Sequence, residues 1–233
     1  MPFSRSWHQE SHRSQRGGWL RASVLGANDG ILSTSALVVG VAAAGQGLTE
    51  VLIAGIAGLV GGALSMAAGE YVSVSSQKDA EEADLAAEAR ELDAHPDQEL
   101  EELARIYEDR GLDPELAQQV AVALTESDAL GTHARDEIGL DDLRRARPLQ
   151  AAGASALAFT LGAILPLIAI TGSGAARIPV TIAVTIVALA ALGWAGALAG
   201  GASPMRASAR VAMWGAVAMA ISVAIGVLVD AAV

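Results

Sequence analysis

The chain has 233 residues, 52% of them hydrophobic, with 25 Gly, no Cys and a formal net charge of −11 from 26 acidic and 15 basic residues. Without cysteine it has no disulfide, no thiolate zinc site and no Cys-held iron–sulfur cluster. The acidic balance excludes a nucleic-acid binder, whose phosphate contacts need a basic surface, and the apolar content is too high for a simple globular enzyme of that charge. The conflict resolves by position. Residues 79–142 hold 21 of the acidic residues and 4 of the basic ones, a net of −17, and the rest of the chain carries +6.

In chain order, residues 1–21 are polar and basic (Arg5, His8, His12, Arg13, Arg16, Arg21) and read as a cytoplasmic lead-in. Five apolar stretches follow at 22–49, 51–69, 151–176, 178–205 and 211–229, and only Asp29 interrupts the first. About 20 apolar residues span a bilayer core of about 30 Å, so each stretch predicts a transmembrane helix. The first is too long for a signal peptide and ends in no cleavage site. The fold class is therefore an all-α membrane protein: five transmembrane helices with an acidic helical cytosolic insert between the second and third. The segments are 1–21, the first two spans at 22–76, the insert at 77–147 and the last three spans at 148–233. Gly58 and Gly62 form a GxxxG pair, either a dimer face or a general small-residue packing surface.

Loop bases set the orientation. Arg5, Arg13, Arg16 and Arg21 precede the first helix; Arg144, Arg145 and Arg147 end the insert; Arg206 and Arg210 join the last two helices. The 45–50 connection has none, and the C-terminus has only Asp230. The N-terminus and insert are thus expected in the cytosol and the C-terminus outside.

The insert reads as helices between breakers. The segment 77–93 continues the second span without Gly or Pro, so the two are expected to form one long continuous helix that Pro96 ends or kinks. A helix over 97–110 stops at Gly111. Asp113-Pro114 caps another over 115–125, and a shorter one over 127–138 stops at Gly139. The apolar positions Leu85, Leu92, Leu100, Leu103, Ile106, Tyr107, Leu116, Val120 and Leu124 make a thin core. About 65 residues is marginal for independent stability.

Asp84, Glu88 and Glu91 share one face of the 77–93 helix, and Glu99 and Glu102 share a face of the next. Two such faces brought together offer oxygen ligands to divalent cations; the same spacing also suits a solvated acidic surface. His133 and Glu137, four apart, add a nitrogen and an oxygen, or form a surface pair. Asp136 is a further candidate.

Asp29 stands in Gly26-Ala27-Asn28-Asp29-Gly30. A carboxylate in mid-helix costs about 2.5–3.5 kcal/mol on insertion scales and faces a polar cavity by default, unless this stretch is an interfacial loop. Asn28 adds an amide carbonyl. In Ser65-Met66-Ala67-Ala68-Gly69-Glu70-Tyr71, Met66 and Glu70 project from one face; a thioether suits soft or borderline metals, although most helical Met residues only pack. Pro166 predicts a kink in the third span.

These motifs, with the Glu-rich insert between the second and third spans, resemble the vacuolar iron transporter family over residues 17–233. The resemblance implies a homodimer that moves Fe²⁺, often also Mn²⁺, out of the cytosol in exchange for protons. It implies a translocation site at Asp29 and Met66, and cytosolic metal ligands at Glu88, Glu91, Glu99, Glu102 and Glu137. One departure is that plant-type members carry Met residues late in the insert, where this chain has Ala134, Arg135 and Asp136.

The expected function is a non-enzymatic secondary transporter with no prosthetic group, the metal being its substrate. Ions pass Glu70, Met66, Asn28 and Asp29. The only Lys, Lys78, lies in no GxxxxGK[ST] loop, which argues against an ATP-driven pump. The alternatives are a metal-sensing module and a membrane-anchored ferroxidase. The ferroxidase lacks support because neither His95 nor His133 follows a Glu by three residues, as bundle di-iron sites require. The Ala- and Arg-rich, nearly Lys-free composition suggests a bacterial inner membrane.

Overall fold

The computed structural model describes residues 17–140, 146–172 and 174–232. Several bases used above to orient the chain (Arg5, Arg13, Arg16, Arg144 and Arg145), together with His8 and His12, lie outside the described residues. Among the described residues the regular elements are all helical: α1 (Gly17–Ala43), α2 (Leu48–Ala94), α3 (Pro96–Asp109), α4 (Pro114–Asp136), α5 (Pro148–Ala169), α6 (Arg177–Gly200) and α7 (Pro204–Ala232), with one 3₁₀ turn at Gly174–Ala176. Five of them, α1, α2, α5, α6 and α7, are long and apolar enough to cross a membrane.

The chain divides into two compact units, Met1–Val72 with Pro148–Val233, and Ser73–Arg147. The division falls inside α2, at Ser73. With no Gly or Pro between Gly69 and Pro96, nothing breaks the hydrogen-bond ladder, and α2 runs unbroken for 47 residues. The first apolar stretch ends earlier than expected, at Ala43. There Gly45 takes a φ of 73°, a left-handed turn that costs a glycine nothing.

In the first unit α1 is central, with α5, α6 and α7 packed against it. The closest crossing is with α5. A Cβ at Gly26 would meet the Ser155 backbone, and one at Gly30 the Phe159 backbone, while Gly162 sits against the carbonyl of Ala27. Two glycines four apart on α1 therefore receive two residues four apart on α5, which lets the backbones approach as they do in lipid. The α1–α6 contact includes a polar pair. The buried Ser35 and Thr185 hydroxyls lie 2.7 Å apart, and Thr185 also donates to the Thr181 carbonyl. Val38, Val51 and Ile170 form an apolar core beside them. The outward side chains are large and apolar: Leu64, Leu157, Val187 and Leu228 are 62–68% exposed, a pattern suited to lipid rather than water. Pro166 is buried within α5, which continues to Ala169; the ring deprives the Gly162 carbonyl of its helical donor.

The second unit holds the rest of α2 with α3 and α4. Its core is small: Leu103, Ala104 and Ala121, backed by Leu100, Tyr107 and Leu124. Leu116, a predicted core position, is exposed instead. Pro96 opens α3 at a position where its missing N–H costs nothing. Gly111, with a φ of 100°, follows its end. The Asp113 side chain accepts from Leu116 N at 3.2 Å and caps α4. The two short helices expected at 115–125 and 127–138 are joined as α4 with a break at Asp128, whose φ and ψ are −165° and 83°. Asp128 accepts from Gly131 N at 3.0 Å, so it caps the helical segment that follows the break.

Candidate metal centre

All three helices of the second unit supply the centre. Glu88 comes from the second-unit part of α2, Glu99 from the first turn of α3, His133 from the last turn of α4, and Glu137 from the C-cap position one turn on. One ligand atom from each lies within 4.8 Å of those from the others. The His133 Nδ1 is 2.9 Å from Glu88 Oε1, 2.9 Å from Glu137 Oε2 and 4.0 Å from Glu99 Oε2. His133 is fully buried, Glu88 and Glu99 nearly so, and Glu137 remains open to solvent.

Three carboxylates this close repel one another, and burial penalises their charged forms. Burial, reinforced by Glu137, raises the Glu88 pKa above the usual carboxylate range, with His133 opposing. Burial and then Glu102 raise that of Glu99, again against His133. Two atoms of the centre have no hydrogen-bond partner, Glu88 Oε1 and His133 Nε2. Glu88 Oε1 is close to Nδ1 but out of hydrogen-bonding alignment; only Glu137 forms a hydrogen bond there. A cation would offset both the repulsion and the orphaned oxygen.

A clasp between α3 and the end of α4 stands beside the centre. Tyr107 Oη donates to Asp136 Oδ2 at 2.8 Å, Arg110 Nη1 contacts Asp136 Oδ1 at 2.6 Å, and Arg110 Nη2 donates to the Asp136 carbonyl at 3.0 Å. The Arg110 guanidinium also lies 5.2 Å from the centroid of the Tyr107 ring. Burial alone would raise the Asp136 pKa, but the hydrogen bonds from Arg110 and Tyr107 outweigh it and hold the carboxyl below its usual range.

The first unit has its own cavity, about 220 Å³. Asp29, Ser33, Thr34 and Leu37 of α1 line it, with Gly58, Gly62, Ser65 and Met66 of α2 and Phe159 of α5. Gly62 leaves room for the Phe159 ring, and Gly58 for Leu37. The GxxxG pair thus meets side chains of its own chain.

A family model described as the VIT family matches residues 20–227. The chain belongs to the VIT family. The vacuolar iron transporter of Acanthamoeba castellanii is 45% identical over 94% of this chain and 82% of its own length. Vacuolar iron transporter homolog 3 of Oryza sativa subsp. japonica is 40% identical over 89% and 69%. Vacuolar iron transporter homolog 2 of Arabidopsis thaliana is 37% identical over 90% and 83%.

In this VIT-family chain the structure brings together only some of the predicted site residues. Glu88, Glu99, His133 and Glu137 converge. Asp84, Glu91 and Glu102 stay exposed outside that group, although the charges of Glu91 and Glu102 reach Glu99. Asp136, a predicted ligand, is committed to Arg110 and Tyr107. Asp29 and Met66 line one cavity, which Asn28 and Glu70 do not. Asn28 lies off the α1 face that carries positions 29, 33 and 37, and Glu70, on the same α2 face as Met66, lies one helical turn beyond the cavity. Sequence reading missed Ser33, Thr34, Ser65 and Phe159. Ser33 stands four residues after Asp29, and Ser65 directly precedes Met66; those spacings were the available signal.

Proposed function

We propose that this chain is a secondary transporter that carries Fe²⁺, and with it Mn²⁺, out of the cytosol in exchange for protons. The observation that carries the reading is the buried convergence of Glu88, Glu99, His133 and Glu137. Membership of the VIT family, and relatives named as vacuolar iron transporters, supply the cargo class. Carboxylate oxygens with one imidazole nitrogen suit Fe²⁺, and four donors converging on one point fit a single ion. The second unit captures metal on the cytosolic side and raises its local concentration. The ion then passes the Asp29–Met66 cavity, where a carboxylate oxygen and a thioether sulfur replace part of its water shell. Protons return on the same carboxylates, because metal and proton compete for one lone pair. The chain acts as a homodimer in a bacterial inner membrane, with its N-terminus and second unit inside and its C-terminus outside. The base-rich segments before α1 and before α5 support that orientation.

Purified protein in liposomes, with Fe²⁺ uptake and internal pH followed together, tests the reading. Uptake coupled to counterflow of protons is expected. Uptake that ignores a proton gradient of either sign sinks the exchange, and Asp29→Ala transporting at the normal rate sinks the assigned route.

A further inference from the structure

We propose that His133 is a specificity-determining ligand: the second unit takes its divalent ion through the His133 imidazole nitrogen and so prefers borderline ions (Fe²⁺, Co²⁺, Ni²⁺, Zn²⁺) over the hard ions Mn²⁺, Mg²⁺ and Ca²⁺. The inference rests on the metal-capture reading of the same cluster and narrows the class of ion it accepts.

His133 has no solvent-exposed surface, so it is not a bystander at the rim. The bland alternative is a core histidine satisfied by Glu137. That would account for one bond, from Nδ1 to Glu137 Oε2 at 2.9 Å. It leaves Glu88 Oε1, 2.9 Å from the same nitrogen, buried without a donor. A single N–H on Nδ1 serves one acceptor in line, and here two carboxylates approach it. An ion resolves this crowding, because it accepts a lone pair from nitrogen and oxygen alike. The spacing also suits one. Ligands bound at about 2.1 Å lie about 3 Å apart along an octahedral edge and about 4.2 Å apart across it. The Nδ1 distances here are 2.9, 2.9 and 4.0 Å.

The ligand type then decides the ion. Carboxylates suit the hard ions Mg²⁺, Ca²⁺ and Mn²⁺, whereas an imidazole adds a preference for Fe²⁺, Ni²⁺ and Zn²⁺ beyond the order any oxygen site already shows. In a set of three carboxylates, the one nitrogen is the donor that widens the gap between these classes. Among the described residues no histidine lines the Asp29 cavity, so a nitrogen signature that depends on His133 separates the two sites.

The test uses the full-length protein in detergent, with Mn²⁺ as paramagnetic probe and Co²⁺ as competitor. Pulsed EPR of the Mn²⁺ complex is expected to show ¹⁴N modulation that His133→Gln removes. Co²⁺ affinity is expected to fall about tenfold or more in that variant, with Mn²⁺ affinity changing about threefold or less. A His133→Gln protein that keeps the ¹⁴N modulation, or keeps the wild-type Co²⁺-to-Mn²⁺ affinity ratio, overturns the proposal while leaving metal capture intact. Should His133→Gln not fold, His133→Glu replaces it, and a wild-type affinity ratio near one overturns the proposal without any variant. Wild-type protein that binds no metal in this unit overturns the capture reading itself.

Discussion

The two candidate sites differ in how completely each is built. The second unit gathers four donors within 4.8 Å, three of them buried, at the meeting of three helices. The first unit offers a cavity of about 220 Å³ with one carboxylate, one thioether and three hydroxyls spread along two helices and a Phe ring. A crowded donor set holds an ion, whereas a roomy and ligand-poor one lets it go. Carriers need both, since an ion bound tightly everywhere never leaves.

The largest expected effect breaks that division directly. Asp29→Ala removes the only carboxylate that lines the cavity among the described residues and is expected to abolish Fe²⁺ transport in liposomes. Calorimetric titration of the same protein is expected to show metal binding in the second unit unchanged. Loss of both activities together would mean that the sites are not separable.

The next variant works from the other side. Glu88→Gln is expected to weaken metal binding by about tenfold to a hundredfold and to raise the Fe²⁺ concentration for half-maximal transport, with the maximal rate preserved. In the absence of metal the variant is expected to be more stable than wild type, because a buried charge and its repulsion from Glu137 are gone. Hydrogen exchange across α3 and α4, with and without metal, reads both effects.

How much of this was legible in the sequence follows the same division. Long apolar runs, the first broken only by Asp29, predicted the five membrane-length helices, because length and composition suffice for that. The continuity of α2 was legible too, since a helix ends only where something ends it. The centre was legible only in pairs. His133 and Glu137 lie on one helical turn, which spacing reveals, but their meeting with Glu88 and Glu99 depends on how α3 and α4 pack through Leu103, Ala104 and Ala121. Asp136 shows the limit. As an acidic residue beside Glu137 it read as a ligand; only the packing of α3 shows that Arg110 and Tyr107 claim it. The same holds for Gly26 and Gly30, which flank Asp29 in the motif. They serve the α1–α5 crossing, a role no linear spacing assigns.

A milder effect separates the centre from its support through pH. Glu88 and Glu99 have raised pKa values, so the metal-free second unit loses stability as pH climbs from the ordinary glutamate value of 4.5 through their folded values. Asp136 has the opposite sign: its support is complete above 3.8 and is lost as pH falls through its lowered folded value. Hydrogen-exchange protection of α3 and α4 is therefore expected to peak at mildly acidic pH without metal. With metal bound, the decline on the alkaline side is expected to vanish. Asp136→Asn is expected to abolish the acid-side loss alone and to lower protection of the last turn of α4 at neutral pH. Unchanged protection there would mean that the Arg110 clasp contributes nothing.

The smallest expected effect probes whether the cavity's hydroxyls matter. Thr34 is 2% exposed, lines the cavity and has no hydrogen-bond partner for its hydroxyl. Ser33, in contrast, already donates to the Asp29 carbonyl at 2.6 Å. Thr34→Val keeps the shape and removes the orphaned group, so the melting temperature is expected to hold or rise slightly. Transport distinguishes two roles that stability alone leaves equal. A hydroxyl that replaces a water on the passing ion gives a several-fold rise in the half-saturating Fe²⁺ concentration, restored in Thr34→Ser. Unchanged transport in Thr34→Val would reduce the tested ligand set of the cavity to Asp29 and Met66, with the Ser33 and Ser65 hydroxyls as the next variants. That outcome would sharpen the contrast with the four-donor centre.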